Sequence, residues 1–125
     1  MQKISFVFLL STLTVLISCK KEKTYTLGID VQSEFVNDSV EVFMDNEPLI
    51  KKRLTTNNLL GVCDGGIVRL TKKEGTYTLL VIVNNSATLI TNLSLNHDLY
   101  IGVTYDSTDN EVFLCMLMSH FFTNK

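Results

Sequence analysis

Apolar and polar residues alternate with period two along most of this chain. From Thr24 to Val31, Tyr25, Leu27, Ile29 and Val31 fall on one side of an extended backbone, with Thr24, Thr26, Gly28 and Asp30 on the other. That alternation predicts a strand with one buried face. Residues 32–38 are polar and turn-prone, and Val40, Val42 and Met44 then resume the rhythm opposite Ser39, Glu41 and Phe43. Asp45-Asn46-Glu47-Pro48 breaks this second strand, because Asp and Asn favour turns and Pro cannot donate to a ladder. Residues 49–54 supply a short third strand.

Residues 55–66 are the least regular, with Asn57-Asn58 and Asp64-Gly65-Gly66 bracketing Leu59, Leu60 and Val62. Residues 67–71 read as a strand, and Lys72-Lys73-Glu74-Gly75 as a tight turn in which Gly75 supplies a positive φ. Residues 76–83 are apolar on both faces by their end, which predicts a central strand. Asn84-Asn85-Ser86 returns the chain into residues 87–95, where Leu89, Thr91, Leu93 and Leu95 alternate with Ile90, Asn92 and Ser94, so a hairpin is expected. After Asn96-His97-Asp98, an inward face of Leu99, Ile101, Val103 and Tyr105 leads to a loop at 106–110. Residues 111–118 are apolar on both faces; helical spacing through Val112, Cys115, Met116 and Ser119 leaves a helix open beside a strand. About seven or eight short strands predict an all-β chain, a single small antiparallel β-sandwich. With no Trp in the chain, an antibody-type domain is not indicated.

The first 18 residues follow a different pattern. Met1, Gln2 and Lys3 precede an apolar run from residue 4 to residue 17, interrupted only by Ser5, Ser11, Thr12 and Thr14. The run fits the core of an export signal, expected as a helix, and falls short of the ~20 apolar residues that span a bilayer. Leu16-Ile17-Ser18-Cys19 closes it and resembles the lipobox of bacterial lipoproteins. The resemblance implies cleavage before Cys19 and palmitate-type acylation of Cys19 as the mature N-terminus. Residues 1–18 are then a signal peptide, 19–23 a lipidated tether and 24–125 the folded domain. More than one acyl chain on one residue is sufficient for stable anchoring. The expected location is the cell envelope, on a membrane and not through it, with the outer membrane favoured.

Loss of Lys3 with the signal reduces eleven basic residues to ten against thirteen acidic ones, a net charge of −3. No basic face with interleaved aromatics is present, which argues against a nucleic-acid partner. Lys51-Lys52-Arg53 is the one dense basic cluster and reads as a solvated strand or turn. Cys63 and Cys115 remain once Cys19 is acylated. An exported compartment permits them to pair, closing a loop worth ~2–4 kcal/mol, whereas the apolar neighbours of Cys115 equally suit a buried free thiol.

The stretch from Val40 to Asp106 resembles prealbumin-like modules of exported bacterial proteins, including carboxypeptidase-regulatory-like and PEGA-type repeats. The resemblance rests on Val40-Glu41-Val42-Phe43-Met44-Asp45-Asn46-Glu47-Pro48-Leu49, a strand entering a short turn, and on Gly75-Thr76-Tyr77-Thr78-Leu79, opening a core strand. It departs at Asn46, where such modules carry Gly, and at residues 55–66, which have no counterpart. Modules of this kind bind or space and do not catalyse, an implication by fold analogy.

The chemistry-bearing residues are few. His97, Cys115, Met116, Met118 and His120 have the ligand types for copper, but on one strand Cys115 faces away from Met116, Met118 and His120, and no Met follows His120. Core methionines are the plainer reading, and copper handling is the weakest of the functional expectations. His97-Asp98 has no nucleophile context, and no phosphate loop or identifiable carboxylate pair is present. Asp98 is expected to stabilise its own turn, and Asp106-Ser107-Thr108-Asp109-Asn110 to be a solvated turn and not a calcium loop. No catalytic residue, metal or cofactor is expected. The function that follows is a lipid-anchored envelope module with a binding or structural role and a protein partner, possessing no enzymatic activity. The alternative is an inhibitor or immunity-type lipoprotein that blocks an enzyme with Leu59, Leu60 and Val62.

Overall fold

The computed structural model describes residues 22–117, and this part is all-β, with no helix. The strands are β1 (Thr24–Val31), β2 (Asp38–Met44), β3 (Glu47–Leu54), β4 (Thr56–Asn57), β5 (Val62–Cys63), β6 (Ile67–Lys73), β7 (Gly75–Val83), β8 (Ala87–Leu95), β9 (Leu99–Asp106) and β10 (Glu111–Leu117). They form two four-stranded sheets, in the orders β10-β9-β1-β6 and β3-β2-β7-β8, and a two-stranded ladder of β4 and β5. The expected signal helix and lipidated Cys19 lie outside the described residues.

The period-two pattern decides which side chains are buried. Leu27, Ile29 and Val31 of β1, Val40, Val42 and Met44 of β2, Leu79, Val81 and Val83 of β7, and Ile101 and Val103 of β9 form one core drawn from both four-stranded sheets. This arrangement is consistent with the expected β-sandwich. As anticipated, β7 is central, between β2 and β8. Residues 111–117 are strand, which resolves the helix alternative for the described part of that segment.

Several local expectations are corrected. The pairing is not wholly antiparallel: β1 runs parallel to β9, with Leu27 opposite Leu99 and Val31 opposite Val103. The turn after β2 occupies only Asp45 and Asn46, at φ 48° and 68°, so Glu47 and Pro48 already belong to β3. Pro48 is tolerated because β3 is an edge strand, and it lies opposite Phe43 where the register shifts after Val42. Gly75 has no positive φ and closes no hairpin. Instead Glu74 alone separates β6 in one sheet from β7 in the other, and Tyr77 Oη donates to Lys73 O at 2.6 Å across this corner. The hairpin from β7 to β8 forms as expected, with Asn84 and Asn85 both at φ 55°.

Chain direction divides the connections between two poles. At one pole lie Glu22 and Lys23, the β2–β3 turn, the Glu74 corner and the β8–β9 connection. At the other lie residues 32–37, the 55–66 excursion, the β7–β8 turn and the β9–β10 turn. The polar side chains knit the second pole: Asn84 Nδ2 donates to Asp38 Oδ1 at 2.8 Å, and Asn110 Nδ2 donates to Ser86 Oγ. Glu22 and Lys23, assigned to the tether from sequence, are held against the first pole. Glu22 pairs with Lys73 at 2.8 Å, and Glu74 N donates to Lys23 O.

Candidate interaction surface

Residues 32–37 and 55–66 make the most elaborate feature of the fold. Phe35 is buried and stacks on Tyr105 with ring centroids 5.7 Å apart, which anchors its loop and turns the adjacent Val36 outward. Thr56 joins the two loops: its N donates to Phe35 O, while its hydroxyl accepts from Phe35 N at 3.0 Å and donates to Gln32 O at 2.8 Å. Asn37 N donates to Thr55 Oγ1 at 2.9 Å, adding a further tie.

Beyond Thr56 the chain makes one turn. Asn57 Oδ1 accepts from Leu59 N, and Asn57 O accepts from Leu60 N and Gly61 N. Gly61, at φ 75°, adopts the left-handed conformation that lets the chain return as β5. With its backbone bonded inward, the turn holds Leu59 and Leu60 outward. They are 96% and 67% exposed, and Val36 on the neighbouring loop is 76% exposed. Single exposed apolar residues are ordinary. Three on two mutually bonded loops form a feature of the kind that marks contact sites.

Of the residues singled out from sequence, Leu59 and Leu60 are at the tip, whereas Val62 is half-buried in β5 and belongs to the base of the loop. Cys63 is fully buried beneath it. Its Sγ faces Gln32 O at 3.8 Å and Thr56 Oγ1 at 3.6 Å, and burial raises the thiol pKa above the ordinary value. Cys115 is exposed on β10, and both thiols are free, so the expected option of a Cys63–Cys115 disulfide is not realised. The reason is topological: Cys63 lies under the loop pole, and Cys115 on the outer face of its sheet, opposite Gly102. Cys115 is therefore also not the buried thiol its apolar neighbours suggested.

The polar candidates separate in space. Asp98 does not serve its own turn; its Oδ1 accepts from Thr26 N of β1 at 2.8 Å, tying the β8–β9 connection to the first sheet. His97 Nδ1 instead contacts Asn96 Oδ1, so His97 and Asp98 form no dyad. Asp106 Oδ1 accepts from Thr108 N at 2.9 Å, which caps the β9–β10 turn. Among the described residues no three His, Cys, Asp or Glu side chains are grouped to hold a metal. Met118 and His120 lie outside the described residues.

Sequence reasoning missed Val36 and two further features. On the outer face of the first sheet, Arg69 pairs with Asp30 at 2.7 Å and lies 5.5 Å from the Tyr100 ring centroid, with Gly28 leaving room beneath the ring. On the outer face of the second, Phe43, Leu80 and Ile90 line an open hollow of about 470 Å³ with Asp45, Asn46 and Thr78. The alternation set Gly28, Asp30, Phe43 and Ile90 opposite the inward residues of their strands, but it did not indicate which outward residues meet. No protein-family model, curated protein or solved structure matches this chain.

Proposed function

We propose that this protein is a lipid-anchored binding module of the bacterial cell envelope, attached through Cys19 and acting through contact, not catalysis. The observation that carries the reading is the opposition of the two poles. The chain enters the fold at Glu22, three residues after Cys19, whereas Leu59 and Leu60 stand at the far end of the strands. An eight-residue strand such as β1 spans ~26 Å. A domain held this way presents its apolar tip away from the membrane that holds its lipid.

The two four-stranded sheets around one core support the resemblance to prealbumin-like modules, whose work is binding or spacing. A specific observation also supports the inhibitor or immunity reading: the 57–61 turn is bonded in advance, so seating it in a partner orders little new backbone. The test is recovery of partners from the native envelope after mild crosslinking, with Cys19→Ala as the control. One stoichiometric protein partner for the acylated form is expected; recovery of none would contradict the reading and direct attention to small ligands or a spacer role.

A further inference from the structure

We propose that the loop pole docks an envelope protein that offers an apolar cleft bordered by lysine or arginine. This inference rests on the anchored-module reading and assigns the partner's chemistry. The tip supplies the apolar part, with Leu59, Leu60 and Val36 exposed on two loops that hydrogen bonds hold together.

Charge supplies the other part. The four connections at this pole, residues 32–37, 55–66, 84–86 and 107–110, contain Glu34, Asp64 and Asp109 and no Lys or Arg. Among the described residues none of these three carboxylates is in an ion pair, although Glu22, Asp30, Glu41 and Glu47 all are. The three are exposed. Two cations of β3 reach this pole, Lys52 with its Nζ against Gly65 beside Asp64 and Arg53 with its Nε donating to Asn37 Oδ1. Asp38 and Asp106 at the adjoining strand ends add two further carboxylates, so five carboxylates face two cations. An apolar tip on a pole of net negative charge is complementary to a cleft with a basic rim, which would also steer the encounter.

The same features disfavour the other occupants. Carboxylates around the tip repel anionic headgroups, so insertion of Leu59 and Leu60 into a bilayer is opposed. A second copy of this chain would bring like charge against like charge if the two poles met.

The test places the photo-crosslinking residue p-benzoylphenylalanine at position 59 of the full-length protein in its native envelope, with position 90 on the outer face of β8 as the comparison. The expected result is a protein adduct from position 59 at least tenfold above that from position 90, with the adducted partner peptide apolar and flanked by Lys or Arg. Raising NaCl from about 50 to about 500 mM should lower its yield several-fold. Combining Glu34→Lys with Asp64→Lys should lower it at least tenfold, and Asp109→Lys, on a separate turn, should lower it independently of the two loops. A lipid adduct, an adduct to a second copy of this chain, no protein adduct, or a yield that survives charge reversal would overturn the proposal. Fractionation of the same samples reports on the anchor separately. Membrane-bound protein without the position-59 adduct would overturn the docking surface alone, and soluble protein that still forms it would overturn the anchor alone.

Discussion

Cys63 shows how burial determines the chemistry of a single side chain. Desolvation raises its pKa from the ordinary 9.0, only partly opposed by the Thr56 hydroxyl, while Asp64 and Asp38 raise it further. In the unfolded chain the thiol ionises at its ordinary value, so this contribution to stability is complete below pH 9 and is lost as pH rises through the higher folded-state value. Thermal unfolding followed from pH 7 to pH 10 should therefore show a decline above pH 9 that Cys63→Ala reduces. In the native protein, a thiol reagent should label Cys115 and spare Cys63 until the chain unfolds; equal labelling of both would contradict the buried placement. Gly66 makes a second residue-scale point. A Cβ there would lie 2.9 Å from Val31 Cβ and 3.1 Å from Cys63 Cβ, so Gly66→Ala should destabilise by about 1–3 kcal/mol, measured by denaturant unfolding. At Gly102 the clash is with the movable end of Gln32, and Ala there should cost less.

The elements were largely legible in the sequence, because a period-two pattern fixes which residues can share a buried face. Leu99, Ile101, Val103 and Tyr105 all point inward as the alternation requires. What alternation does not encode is which strands become neighbours. Lys72-Lys73-Glu74-Gly75 carries the composition of a hairpin turn, yet the chain there changes sheets, because β6 has already found its partner in β1. The parallel pairing of β1 with β9 joins strands nearly seventy residues apart and leaves no local signature. The Asp98 bond to Thr26 was hidden for the same reason. In the candidate surface, Leu59 and Leu60 were visible as apolar residues between turn signals, but Val36 became relevant only once Thr56 joined its loop to theirs. These elements differ in what they contribute to stability. Leu79→Ala in central β7 should cost about 2–5 kcal/mol in unfolding experiments, whereas Leu60→Ala at the tip should change stability by no more than about 0.5 kcal/mol.

At the scale of the whole molecule, the fold places the start of the domain at one end and its most exposed apolar residues at the other. Glu22 and Lys23, which the sequence assigned to a tether, are bonded to the fold, so a lipid on Cys19 would be joined to the domain through Lys20 and Lys21 alone. The Glu22–Lys73 contact is solvent-exposed and screened by water, so its loss in Lys73→Ala should leave the denaturant midpoint nearly unchanged. The account depends most on the acylation of Cys19, because that is what gives the two poles their meaning. The direct measurement is the intact mass of the protein isolated from native membranes, together with its N-terminal sequence. The account predicts a chain that begins at Cys19 and carries the added mass of its acyl chains, with Cys19→Ala released from the membrane. An unmodified chain, a different N-terminus, or a Cys19→Ala variant that remains membrane-bound would contradict it.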